Sequence, residues 1–188
     1  MIKKIFKFSL FLFILLFSIF LIFFINYYQN KKIIKKVSNN FQEVCVQNNI
    51  ENITSYSDLS IKVDESTVVG LVKIEKINFE GLVYEGTSSN ILEKGVGHFE
   101  CSPLTKGNIC LAAHNTNKFW AKLNTLQIDD IITYENILGT KNYKVFSSTQ
   151  IDETDITCLE DTKDNILTLI TCVKNIPNKR LCVQAIEI

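Results

Sequence analysis

The chain has 188 residues, 46% of them hydrophobic, and its 20 basic and 20 acidic side chains leave a formal net charge of zero. That length and composition would suit one domain with a good core if the pattern were even, but residues 1–36 hold seven lysines and no acid, leaving 13 basic against 20 acidic groups beyond them, a net of −7. An acidic remainder excludes nucleic-acid binding through a basic face, so no nucleic-acid partner is expected.

Phe8 to Ile25 is apolar apart from Ser9 and Ser18. At ~1.5 Å per residue it reaches ~27 Å, close to the hydrocarbon thickness of a bilayer. A cleaved signal peptide would have a shorter apolar core and small residues at the cut. Here the run ends in Asn26, Tyr27, Tyr28 and Gln29, and the tyrosines suit a membrane interface. The expectation is an uncleaved, single-pass anchor through residues 8–25, embedded in the lipid bilayer. Lysines flank it on both sides, so charge does not set the orientation. A short head before a long domain favours a cytoplasmic N-terminus and an external C-terminal domain.

Ile33, Val37, Phe41 and Val44 recur at helical spacing, which predicts an amphipathic stalk helix over residues 28–47. A polar stretch rich in Asn and Ser, from about Gln47 to Ser66, reads as a linker. The expected organisation is head and anchor over 1–27, stalk and linker over 28–66, and a folded domain over 67–188.

From Thr67 onward short runs rich in Val, Ile, Thr and Tyr alternate with Gly, Asn and Asp. Strands are predicted near Val68 to Ile74, Phe79 to Tyr84, Asn108 to His114, Asp130 to Glu135, Tyr143 to Ile151, Ile166 to Cys172 and Arg180 to Ile186. One or two helical turns are expected over Phe119 to Leu126. Many short strands with few helices predict an all-β sandwich or closed barrel.

Lysine occurs 19 times and arginine once, at Arg180. A lone guanidinium in a lysine-rich chain points to a site that needs a permanent charge and a planar fork of donors. The bland alternative is a buried ion pair. Upstream lies Thr168-Leu169-Ile170-Thr171-Cys172, a β-branched run ending in cysteine, followed by a loop over 173–179 with Pro177. This puts the thiol at one strand's end and Arg180 at the start of the next. A thiol of pKa ~8.5 needs a proton partner near neutral pH. His114, ending the apolar run from Ile109 to Ala113, is preferred over His98 in its turn-like Gly95-Val96-Gly97 context.

The other cysteines, Cys45, Cys101, Cys110, Cys158 and Cys182, show no compact disulfide spacing. Most of them read as buried small hydrophobes in a reducing or anaerobic setting.

Together these residues resemble the sortase family. Thr168 to Cys172 is similar to its Thr-Leu-x-Thr-Cys signature, and Arg180 stands where its catalytic arginine follows. Upstream, Val72-Lys73-Ile74-Glu75-Lys76-Ile77, Val83-Tyr84-Glu85-Gly86, Gly95-Val96-Gly97-His98 and Ala113-His114-Asn115 come in the family's order. Class D is most similar in layout and class A next, because the connection before the Cys172 strand is short for a class B helical insertion. Ala113 departs from the glycine that many relatives carry.

The resemblance implies a sortase-type closed β-barrel of about eight strands with short helices, behind the anchor and stalk. It implies a cysteine transpeptidase of the Gram-positive cell surface: Cys172 the nucleophile, His114 the general acid and base, Arg180 the oxyanion stabiliser. Thr168, Thr171, Ala113 and Asn115 are carried over as substrate-binding positions, and His98 as a structural hydrogen-bonder. The implied partners are an LPXTG-like sorting signal and an amine of a peptidoglycan precursor or pilin lysine. No cofactor or metal is expected. Calcium is a side reading from the acidic loop of Asp152, Glu153, Asp155, Glu160, Asp161 and Asp164, although no regular ligand spacing appears there.

Three rivals stand beside this. A zinc-binding module could use His98, Cys101, Cys110 and His114, but Cys110 and His114 would lie ~13 Å apart along one strand. An L,D-transpeptidase would need a Ser-x-Gly-Cys context, which is missing. An inactive sortase-like scaffold would not need Cys172, His114 and Arg180 intact.

Overall fold

The computed structural model describes residues 2–47, 61–63 and 66–188, with side chains described for 8–42, 61 and 66–188. Most of the linker expected between Gln47 and Ser66 lies outside them. Two compact units result, residues 1–37 and 38–188.

Anchor and stalk form one helix, α1 (Ile2–Gln47). No proline or glycine interrupts the span, so nothing breaks the backbone ladder. The side chains from Phe8 to Lys32 are exposed, and this part of the helix is long and apolar enough to cross a bilayer. In the second unit, the end of α1 buries Phe41, and Ser38 Oγ donates to the Glu135 carboxylate at 2.9 Å.

The sheet of the second unit has nine strands: β1 (Ile61–Val63), β2 (Ser66–Ile74), β3 (Phe79–Glu85), β4 (Val96–His98), β5 (Asn108–Ala112), β6 (Ile131–Asn136), β7 (Gly139–Asp152), β8 (Ile166–Val173) and β9 (Ile176–Glu187). A short helix, α2 (Ser89–Lys94), precedes β4. Their order is β1-β2-β3-β4-β5-β8-β9-β7-β6, and a further β2–β6 pairing brings the ends together. Antiparallel pairs from Leu71↔Glu135 to Lys73↔Thr133 make that seam. Eight strands, β2 to β9, thus form a closed barrel, which removes the edges that would otherwise invite other chains to pair.

Alternation along the strands explains the core. On β5, β8 and β9 the inward positions are Ile109, Leu111, Leu167, Leu169, Leu181, Val183 and Ala185, all in the buried cluster with Trp120, Tyr134 and Tyr143. A period of two then places Cys110, Thr168, Ile170, Cys172, Arg180, Cys182 and Gln184 on the outer wall. The expected turns after Phe119 appear as a turn-rich segment ending in the 3-10 helix Leu123–Thr125.

Three departures have local causes. β1 forms inside the expected linker by pairing with the start of β2. β4 stands where the glycines predict a turn, yet it pairs in parallel with β3. A Cβ on Gly97 would stand 2.5 Å from the Gly86 carbonyl oxygen, so glycine there permits close approach of two backbones. β9 begins at Ile176, four residues before Arg180, because Asn175 takes a left-handed φ of 63° and closes a tight turn after β8.

Candidate active site

The site follows from two strand registers. β5 and β8 run parallel from Asn108↔Ile166 to Ala112↔Ile170. Gly107 sets this alignment: its N–H donates to Asn165 Oδ1 at 3.0 Å and its carbonyl accepts from Ile166 N at 2.9 Å. Its φ is +78°, and a Cβ would collide with the Asp161 carboxylate. β8 and β9 pair antiparallel with Cys172 opposite Arg180. Continuing the β5 register by two residues puts His114 beside Cys172. Thiol and guanidinium therefore leave the outer wall side by side, and the alternation along β5, carried two residues past its end, directs the imidazole to the same wall.

Three hydrogen bonds hold the chain around His114 against the end of β8. Ala113 N donates to Ile170 O at 3.2 Å. Thr171 Oγ1 donates to Ala113 O at 2.7 Å, and Asn115 Nδ2 donates to Cys172 O at 2.6 Å. His114 is thus bracketed by ties from its two neighbours to Ile170, Thr171 and Cys172 itself. Its ring faces Phe119, with centroids 6.4 Å apart and planes at 47°, and its carbonyl accepts from Thr116 N and Trp120 N at 2.9 and 3.1 Å.

Cys172 is exposed and lines a cleft of about 590 Å³ with Asn115, Thr116, Asn117, Ala121, Lys122, Asn124, Gln150, Val173, Lys174 and Leu181. The fork of Arg180 is engaged on the far side: Nη2 donates to Glu153 Oε2 at 2.8 Å, and Nη1 to Pro177 O at 2.8 Å and Lys179 O at 3.0 Å. An exposed thiol between an imidazole and a guanidinium has the parts for acyl transfer: nucleophile, proton carrier and fixed positive charge.

Among the remaining candidates, Asn115 lines the cleft. Thr171 and Ala113 are buried with their side chains toward the barrel interior, and they contribute position through the bond that joins them. Thr168 lies on the outer wall but is covered: its Oγ1 donates to Asn108 Oδ1 at 2.6 Å. His98 is fully buried, with Nδ1 3.0 Å from Glu85 Oε2 and Nε2 2.9 Å from Ser102 Oγ.

Those bonds occupy both His98 nitrogens, and Cys101 is exposed while Cys110 is buried. Among the described residues no three His, Cys, Asp or Glu side chains are grouped to hold a metal ion. The acidic loop is divided among separate partners: Asp152 pairs with Lys179 at 2.8 Å, Glu153 with Arg180, and Asp155 Oδ1 accepts from Thr157 N and Oγ1. Glu153 is the contact that sequence reasoning did not single out, although its charge one residue past the Ile151-Asp152 strand end was visible.

A family model described as the sortase domain matches residues 72–188, which is more than half of the chain. The protein belongs to the sortase family. It is similar to sortase A of Listeria monocytogenes, 27% identical over 129 residues that cover 66% of this chain and 58% of the relative. It is also similar to sortase D of Bacillus subtilis, 32% identical over 117 residues that cover 60% and 58%. The chain thus spans 58% of the length of these curated relatives. Among solved structures, sortase C1 of Streptococcus agalactiae superposes with a TM-score of 0.66 at 25% identity, covering 84% of this chain and 91% of that one. Sortase C-1 of Actinomyces oris gives 0.61 at 26% identity, covering 64% and 74%.

Proposed function

We propose that this protein is a membrane-anchored cysteine transpeptidase that cleaves the Thr-Gly bond of an LPXTG-like sorting signal and passes the acyl group to an amine. The observation that supports it most is the pairing of Cys172 with Arg180 on β8 and β9, with His114 two residues past the Ala112↔Ile170 end of the β5–β8 ladder. The Cys172 thiolate attacks the threonine carbonyl carbon, and Arg180 stabilises the oxyanion that forms. His114 gives a proton to the glycine nitrogen as the C–N bond breaks, leaving a thioacyl enzyme. An incoming amine then attacks the thioester, loses its proton to His114 and expels Cys172 as thiolate. The acceptor is a peptidoglycan precursor or a pilin lysine.

This sequence of steps asks one movement of the protein, because Arg180 must exchange Glu153 for the substrate. No cofactor takes part in it, since thiol, imidazole and guanidinium supply every proton and charge required. Calcium addition is expected to leave the rate unchanged. The short β7–β8 connection, residues 153–165, supports a layout of class D, with class A next. We place the N-terminus in the cytoplasm and the barrel outside. A tethered enzyme and a tethered substrate then meet in two dimensions at raised effective concentration.

The test is incubation of the full chain in detergent with LPXTG-like peptides and amine nucleophiles, followed by mass spectrometry of the intact protein. A thioester adduct on Cys172 that an amine discharges is the expected result, and Cys172→Ala should give neither adduct nor product. Turnover that persists in that variant ends the proposal.

A further inference from the structure

The cleft beside Cys172 carries a charge opposite to that of the domain around it. Beyond residue 36 acids outnumber bases by 20 to 13, yet the cleft is lined by Lys122 and Lys174 and by no acid. Both lysines are exposed. Elsewhere on the barrel lysines meet carboxylates, as Lys141 meets Glu187 at 2.7 Å and Lys179 meets Asp152 at 2.8 Å. The ammonium groups of Lys122 and Lys174 have neither an ion pair nor a hydrogen bond among the described residues.

The two lysines come from different segments, each with a fixed backbone. Lys174 and Asn175 form the tip of the β8–β9 hairpin between Val173 and Ile176, just past Cys172. Lys122 follows His114 along the chain and precedes the 3-10 helix Leu123–Thr125. Its carbonyl accepts from Thr125 N at 2.9 Å and from Thr125 Oγ1 at 2.7 Å. Between them the lining is rich in amides, from Asn115, Asn117, Asn124 and Gln150, and its apolar part is confined to Ala121, Val173 and Leu181. An apolar side chain entering here would strand those amides, whereas a carboxylate accepts from amide and ammonium donors alike. The cleft therefore suits an anionic reactant better than the Leu-Pro end of a sorting signal.

We propose that Lys122 and Lys174 select the acceptor, an amine whose own carbon carries a free carboxylate. This rests on the transpeptidase reading and narrows its second substrate. The lysines hold the carboxylate, and the neutral amine nitrogen beside it attacks the thioester carbonyl carbon. An amide C–N bond forms as the C–S bond breaks, the amine proton passes to His114, and Cys172 leaves as thiolate. The same two charges repel a bare ammonium, so a lysine side chain within a protein, which has no carboxylate beside its amine, is disfavoured.

The experiment uses the full chain in detergent with an LPXTG-like peptide and, at one fixed pH, either glycine or glycinamide as acceptor. Mass spectrometry of the products gives kcat/KM for each amine, and their ratio measures the preference for the carboxylate. Comparing that ratio between variants cancels the intrinsic reactivity of the two amines. Lys122→Gln with Lys174→Gln should lower the ratio about tenfold, mainly through the KM for glycine, and each single substitution should lower it about threefold. Lys122→Arg with Lys174→Arg should restore it to within about twofold. Lys106 and Lys163 are equally exposed and unpaired among the described residues but lie outside the cleft, so Lys106→Gln with Lys163→Gln should also keep it within about twofold. The proposal is overturned if the ratio holds in the Lys122 and Lys174 pair, or falls as far in the Lys106 and Lys163 pair. It is overturned equally if the first pair instead alters the choice between peptides with Glu and Gln at the variable position of the motif, which would assign the lysines to the sorting signal. Absence of any Cys172 adduct in the unsubstituted protein fails the transpeptidase reading and the acceptor with it; an adduct discharged with an unchanged ratio fails the acceptor alone.

Discussion

The two histidines of this barrel lie on neighbouring strands and live in opposite surroundings. His98 on β4 is fully buried and both its ring nitrogens are bonded, to Glu85 and to Ser102. His114, just past β5, is half-buried, and its ring has no hydrogen-bond partner among the described residues, only the tilted face of Phe119. The contrast teaches how a fold sorts one residue type into two uses. A ring with both nitrogens satisfied stabilises what surrounds it, whereas a ring held by its backbone and left open at its nitrogens can take and give a proton.

That comparison can be broken most directly at its reactive end. His114→Ala should lower kcat/KM by about 10²–10⁴-fold while leaving the thermal midpoint unchanged. A fall below tenfold in a peptide-cleavage assay would remove His114 from proton transfer. Arg180→Lys should cost about 10²-fold despite keeping the charge, because an ammonium cannot reproduce the planar fork. Near-normal turnover there would assign Arg180 to its Glu153 ion pair alone.

His98→Ala should show the opposite split. Stability should fall by about 1–3 kcal/mol as Glu85 and Ser102 lose a buried partner, with kcat/KM per folded molecule held within about twofold. Denaturant unfolding beside the cleavage assay reads both, and a catalytic loss without a stability loss would erase the distinction between the two rings. The smallest effect concerns pH. Burial pushes the Cys110 thiol from its ordinary 9.0 to about 12, so the folded chain keeps a proton that the unfolded chain gives up. This contribution is fully present below pH 9 and declines toward pH 12, at about 1.4 kcal/mol per pH unit for the one group. Urea unfolding at about pH 8 and about pH 10 should show the fall, and Cys110→Ala should flatten part of it; an unchanged slope in the variant would contradict it.

Strand positions and the three chemical residues were legible in the sequence because alternation and residue type encode them directly. Leu167, Leu169, Leu181 and Val183 announce an inward face, and the same period sends Cys172 and Arg180 outward. What escaped was set by partners distant in sequence. β4 has three residues, with Gly95 before it and Gly97 within it, so its strand character exists through pairing with β3. β9 reaches back past Pro177 because β7 stops pairing at Lys179, leaving the proline without a ladder bond to make on that side. The Glu153–Arg180 contact was hidden among several acids, since composition marks a loop as negative without saying which carboxylate finds which cation.

The antiparallel pairing of Cys172 with Arg180 carries a practical consequence. Thiol and guanidinium sit on the two arms of one hairpin, 166–187, whose tip is a turn at Asn175. Two of the three reactive groups are thus spaced by a single local element and hardly depend on the rest of the chain for their separation. That makes the hairpin a cassette: exchanged whole between relatives, it would carry its internal geometry along, and Asn115 and Ala113 are the receiving contacts a host barrel has to provide.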